Sequence, residues 1–178
     1  MRLLQFLHTV GRRATMMLPR KIPGIRQRSP TLLACPFFLP TERFESGGWF
    51  HPSRLPLGAG WKGVCCAPGF DGTEPGEYEL REHCNLGYAV KCSRLPQARA
   101  ADAVRFSIVR DCGDRLTICY VCEAAHHPVE HGNLEYDQSR AFWPVRHPDD
   151  RLQKMAQCYV EVYLQRRIQS AAAAAPLE

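Results

Sequence analysis

Two stretches of the chain alternate apolar and polar residues with the period of a β-strand. Val104, Phe106 and Ile108 form one, and Leu116, Ile118, Tyr120 and Cys122 the other. Asp111-Cys112-Gly113-Asp114 between them is a hairpin signal. A three-residue loop at 112–114 pairs Ile108 with Ile118, Phe106 with Tyr120 and Val104 with Cys122. All six side chains then share one face, whereas a one-residue slip would scatter them. Leu134–Tyr136 and Phe142–Val145 extend the sheet as short strands. A different period follows. Leu152, Met155, Ala156, Tyr159, Val162 and Tyr163 make one helical stripe over about 149–168. Asp149 or Asp150 caps that helix after Pro148, and Arg166-Arg167 suit its negative end. Such a stripe is buried against a sheet.

Residues 31–98 lack this regularity. Gly47-Gly48, Pro52, Pro56, Gly58, Gly60, Pro68, Gly69 and Gly72 break the segment repeatedly. One helix is expected there. Thr73 caps it, Pro75 occupies the first turn, Glu74, Glu77 and Glu79 favour its positive end, and Gly87 stands at C′. Leu80 and Cys84 share a face at i, i+4. The expected fold class is α+β: a small antiparallel sheet, a packed C-terminal helix and a loop-rich, cysteine-bearing half.

The length of 178 residues, with 45% apolar and 23% charged positions, suits one domain with a genuine core. The expected division is a basic, disordered arm over 1–30, one α+β domain over 31–169 and a low-complexity tail over 170–178. The charge is uneven. Residues 1–41 carry seven Lys and Arg and no acid, while the rest carries 16 basic against 18 acidic residues. The arm reads as a solvated tail, with a transit peptide or a nucleic-acid contact as alternatives. Leu3–Val10 lacks the features of a secretory signal. The longest uncharged runs, such as Thr31–Thr41, fall short of the roughly 20 apolar residues of a membrane span. A cytoplasmic location follows, where nine thiols do not make a disulfide framework.

In a reducing compartment a cysteine set points to metal, catalysis or burial. Cys35, Cys65 or Cys66, Cys84 and Cys92 are separated by 29 or 30, then 18 or 17, then 7 residues. Four thiolates suit zinc or a 4Fe-4S cluster. The Cys35-Pro36 step and the absence of a C-x2-C pair in this set favour iron–sulfur over zinc. A cofactor would also order a segment with weak local structure. His51 and His83 are reserve ligands. The competing reading is that these thiols are small buried hydrophobes. A second series, Cys119-x2-Cys122 with His126, His127 and His131, is weakened by the strand, which turns Cys119 and Cys122 to opposite faces. Cys112 in the hairpin turn and Cys158 on the last helix read as structural. No nucleophilic cysteine has an oriented His partner, so no reaction is assigned.

Other motifs are few. The chain has no G-x-G-x-x-G, P-loop, G-x-S-x-G or H-E-x-x-H. Trp49, Phe50, His51, Arg54 and Trp61 interleave aromatic and basic residues, a pattern that can stack nucleobases but more often packs a loop. Cys35-Pro36-Phe37-Phe38, Gly60-Trp61 with Cys65-Cys66, Cys84-Asn85-Leu86-Gly87-Tyr88-Ala89 and Cys158-Tyr159 together resemble a family of small cysteine-containing bacterial proteins, over about 33–168. The resemblance implies a bacterial intracellular setting and brings no activity with it. The leading expectation is an iron–sulfur (or zinc) protein with a structural or electron-transfer role and an unknown protein partner. The alternatives are a metal-free interaction module with buried thiols, or a nucleic-acid-associated protein using the basic arm.

Overall fold

A computed structural model describes residues 33–44 and 55–174. The arm, the aromatic-rich stretch around Trp49, His51 and the last four residues lie outside the described residues. Strands β1 (Phe38–Arg43) and β2 (Trp61–Cys65) form an antiparallel pair. A short helix α1 (Glu77–Glu79) runs into a π-helical turn over Leu80–Cys84. Strands β3 (Ala103–Asp111), β4 (Arg115–Ala124), β5 (His127–Asp137) and β6 (Phe142–Val145) then form a four-stranded antiparallel meander. The chain closes with helix α2 (Asp150–Ala174). The molecule is therefore α+β, with two small sheets, a long C-terminal helix and a loop-rich part bearing cysteines.

The β3–β4 register follows the side-chain pattern. Val104 pairs with Cys122, Phe106 with Tyr120 and Ile108 with Ile118. A bulge at Val109 absorbs one residue before the 112–114 loop. Gly113 has φ 86°, and its N–H donates to Asp111 Oδ1 at 2.9 Å. β5 is much longer than the expected 134–136. Its first half, His127–Glu130, is exposed and carries no alternation; pairing with β4 makes it a strand.

Helix α2 begins after Asp149, whose carboxylate accepts the Arg151 N–H at 2.9 Å. The helix is buried on more than one stripe: Gln153, Cys158 and Val160 join Leu152, Met155, Ala156 and Val162. The cause is packing on two sides. Tyr159 meets Phe106 of β3, and the Tyr163 hydroxyl donates to Asp111. On the other side Arg166 donates to the Gly58 carbonyl, and Arg43 of β1 donates to Gln165. A continuous core joins Phe38, Leu57 and Trp61 to Val104, Leu116, Ile118, Leu134 and Met155.

Two local expectations are corrected. Thr73 does not cap α1: its hydroxyl donates to the Phe70 carbonyl at 2.6 Å, and Glu79 instead reaches back to the Gly76 N–H at 2.9 Å. Gly87 is not the left-handed residue past the helix. Asn85 (φ −79°) is the C-cap, and the left-handed residue of this stretch, Tyr88 (φ 57°), lies further on. Gly87 is small because a Cβ there would lie 2.6 Å from the Ala103 Cβ.

The β4–β5 turn places Ala125 (φ 48°) and His126 (φ 65°) in the left-handed region, which favours Gly or Asn. Tertiary contacts hold them there. Asp102 accepts the Ala125 N–H at 2.7 Å, the Tyr88 hydroxyl oxygen accepts the His126 N–H at 2.9 Å, and the His126 ring stacks on Tyr88 at 4.1 Å. The Ala125 N–H bond, followed by the bond from Arg99, holds the Asp102 carboxyl below its ordinary range. A carboxylate depressed in the folded state contributes stability above its unfolded pKa and loses it as pH falls through the folded one. Asp102→Asn is thus expected to lower stability by about 1–2 kcal/mol at pH 7. The loss should be smaller at pH 3 than at pH 7, because protonation of the unfolded chain removes part of the charge's contribution. Urea midpoints at both pH values measure this; an equal loss at both would rule out the charge.

Candidate functional site

Four of the five candidate ligands meet around one small cavity of about 20 Å³: Cys35, Cys65, Cys84 and Cys92 line it, with Phe37, Phe38 and His83 among the other walls. Each arrives by a different local device. Ala34 forms a two-way backbone bridge with Val104 of β3, which anchors Cys35; the Cys35 carbonyl then accepts the Phe38 N–H as the chain turns into β1. Cys65 ends β2, pairs with Phe38 and bridges to Thr73. Cys84 closes the π-helical turn, whose wide spacing buries Leu80, His83 and Cys84. Cys92 follows the left-handed Tyr88 in a run of turns.

The choice between Cys65 and Cys66, open in the sequence, is decided by strand geometry. Neighbours on an extended chain point to opposite sides. Cys65 lines the cavity, while Cys66 is half-buried beside Asp71 and Arg151.

The expected metal centre is not there. Among the described residues no three or more His, Cys, Asp or Glu side chains are grouped to hold a metal ion. This corrects the assignment of an iron–sulfur cluster or zinc to Cys35, Cys65, Cys66, Cys84 and Cys92. Cys35, Cys65, Cys84 and Cys92 line the cavity wall, the first three as small buried hydrophobes, and Cys66 lies outside it. Their protonation agrees. Burial pushes the Cys35 thiol up to about 12, with the neighbouring Cys92 and Cys65 adding to the shift. Burial also raises Cys84, with further contributions from Cys35, Cys92 and Cys65. At neutral pH these two are thiols, not thiolates. All nine cysteines are free. Cys112 is exposed in its turn, and Cys119 and Cys122 sit on β4 with no metal grouping around them.

Polar clips perform the ordering that a metal was expected to supply. Asn85, 2% exposed, makes the central one. Its Oδ1 accepts the Trp61 N–H at 2.9 Å, and its Nδ2 donates to the Trp61 carbonyl at 2.9 Å and the Leu80 carbonyl at 3.0 Å. The amide thus replaces a neighbouring strand on the free side of β2. Arg94 makes the second clip. Its Nε and Nη2 donate to the two Glu79 carboxylate oxygens at 2.9 and 2.7 Å, and Nη1 donates to Thr73 at 2.8 Å. Sequence reasoning missed both residues. Their partners are 24, 15 and 21 positions away, so no spacing rule singles them out.

A second, larger feature lies beside the thiol cavity and shares Phe37 with it. This open groove of about 440 Å³ runs between Pro36, Pro68, Pro96, Ala100 and Val129, with Arg99, Glu130, Asp149 and Arg151 along it. Each arginine is held in place: Arg99 by Asp102 and the Pro96 carbonyl, Arg151 by Asp149. Arg151 also lies over the Phe37 ring, 5.7 Å from its centroid. The groove abuts the first half of β5. Strand β6 pairs with β5 only around Glu135 and Asp137, so among the described residues the outer edge of 127–133 has no strand partner.

Trp61 is 3% exposed and cannot stack on a nucleobase. Among the described residues no helix is long and apolar enough to cross a membrane. No protein-family model matches the chain, and neither a curated protein nor a solved structure shows significant similarity to it.

Proposed function

We propose that this chain is a metal-free interaction module that takes an extended segment of a partner protein along the groove between β5, residues 96–101 and the start of α2. One observation carries this reading: an open apolar groove lies next to an unpaired strand edge. An edge strand offers alternate N–H and C=O groups that an added strand can satisfy, and the neighbouring groove receives every second side chain. Pro36, Phe37, Pro68 and Pro96 supply rigid apolar walls, which lose little entropy on binding. Arg99 and Arg151, already oriented by their carboxylates, offer polar anchors. The occupant is accordingly an extended, mainly apolar peptide. Nine free thiols agree with a reducing compartment such as the cytoplasm.

The test is selection of random peptides displayed on phage against the intact chain. Enriched sequences should alternate apolar residues. Their affinity should fall at least about tenfold with Ala100→Arg, a change at an exposed position in the groove wall. Lys154→Glu, on the far side of the start of α2, should leave it unchanged. No enrichment, or binding indifferent to Ala100→Arg, removes the reading.

A further inference from the structure

The charged side chains along the groove are matched within the protein, with one exception. Arg99 donates to Asp102, and Arg151 makes two bonds to the Asp149 carboxylate, at 3.1 and 2.5 Å. Glu130 is the exception. The Tyr120 hydroxyl donates to its Oε1 at 3.1 Å, and His147 Nε2 stands 3.3 Å from the same oxygen. The Asp149 N–H donates to His147 Nδ1 at 2.9 Å, so Nδ1 carries no proton. The ring proton is therefore on Nε2, and His147 meets Glu130 as a neutral donor. Among the described residues no Lys or Arg pairs with Glu130, and its Oε2 accepts no hydrogen bond. The side chain is 55% exposed. An oriented carboxylate thus stands unneutralised in a groove whose other charges balance.

A bulge puts it there. Cys122 pairs with Glu130 and Glu123 with Pro128, so Val129 is an extra residue with no partner on β4. Neighbours on a regular strand face opposite sides, yet Val129 and Glu130 both line the groove, as does Cys122 across the ladder. The unpaired edge of 127–133 runs past the same point. A strand added to that edge sets one residue directly across from Glu130, with Cβ atoms about 5 Å apart on the shared face. Its residues two positions to either side share that face and look into the groove.

Resting on the peptide-binding reading above, we propose that the partner segment carries a lysine or arginine opposite Glu130, with apolar residues two positions to either side. The cation binds Oε2 and completes the charge balance of the groove. It also fixes register. An alternating apolar segment fits equally well after a two-residue slip, and a single charge pair removes that ambiguity.

The experiment measures binding of synthetic peptides, made from the phage-enriched sequences, to the intact chain. Each peptide is made twice, once with its basic residue and once with norleucine in that place. The exchange should weaken binding to the wild-type chain about threefold to fivefold. Against Glu130→Gln that difference should vanish. This variant keeps an oxygen acceptor for Tyr120 and His147, so the local bonds survive the loss of charge. Enriched peptides with no basic residue at a constant place between apolar ones, or an equal effect of the exchange on both proteins, overturn the inference and leave peptide binding standing. No enrichment, or binding indifferent to Ala100→Arg, removes the groove reading and this inference with it.

Discussion

Asn85→Ala is expected to cost about 3–5 kcal/mol, because it strands buried backbone groups at both ends of one clip. The Trp61 N–H and carbonyl face away from β1, toward the Asn85 amide, and the Leu80 carbonyl is the third partner. Water cannot replace the amide at a position 2% exposed. Asn85→Leu keeps most of the volume but makes none of the bonds, so it should fall as far as alanine. Urea unfolding of both variants decides the matter. A loss below about 1 kcal/mol in either would show that the clip is not what holds β2 against the π-helical turn. The expected size is large because a lost partner leaves the other group desolvated, which costs more than the net value of a hydrogen bond.

Gly63→Ala should be damaging by a different route, overpacking. A Cβ at residue 63 would lie 2.2 Å from the Leu39 carbonyl oxygen and 2.7 Å from the Phe38 ring. The carbonyl belongs to the paired strand and cannot move without opening β1 from β2. The expected loss is about 3 kcal/mol or more. The double variant Phe38→Ala with Gly63→Ala separates the causes. Removing the ring leaves the backbone collision, so the double variant should be less stable than either single one. Recovery of stability on removing the ring would place the clash in the side chain instead. Thermal unfolding of the four proteins completes the cycle.

Gly63 and Asn85 also show where sequence reasoning stops. In the sequence Gly63 is one more glycine in a glycine-rich zone. Only the pairing of β1 with β2 makes it indispensable. Asn85 is an ordinary turn residue until Trp61, 24 positions earlier, is brought beside it. The same holds for the turn at Ala125 and His126. Neither residue type announces a left-handed conformation, and Asp102 and Tyr88 enforce it from other segments.

The cysteines divide along this line. Their irregular spacing was enough to suggest that Cys35, Cys84 and Cys92 gather, and the fold places them around one cavity with Cys65. The spacing could not show how the sulfurs are arranged once there. Ligand geometry depends on where four separate backbone segments aim their side chains, to within a fraction of an ångström. On that count the metal expectation failed: no group among the described residues can hold an ion.

By itself the sequence determined the β3–β4 register, the start of α2 at Asp149 or Asp150 and the α+β class. Each follows from periodicity or capping within a few residues, where side-chain direction is dictated by the local backbone. Tertiary structure alone decided that α2 is buried on two sides, that Cys65 and not Cys66 faces the cavity, and that Asn85 and Arg94 order the loop-rich half. The physical reason is common to all three. Each is a relation between segments distant in sequence, created only when packing brings them together, and no local pattern encodes the partner.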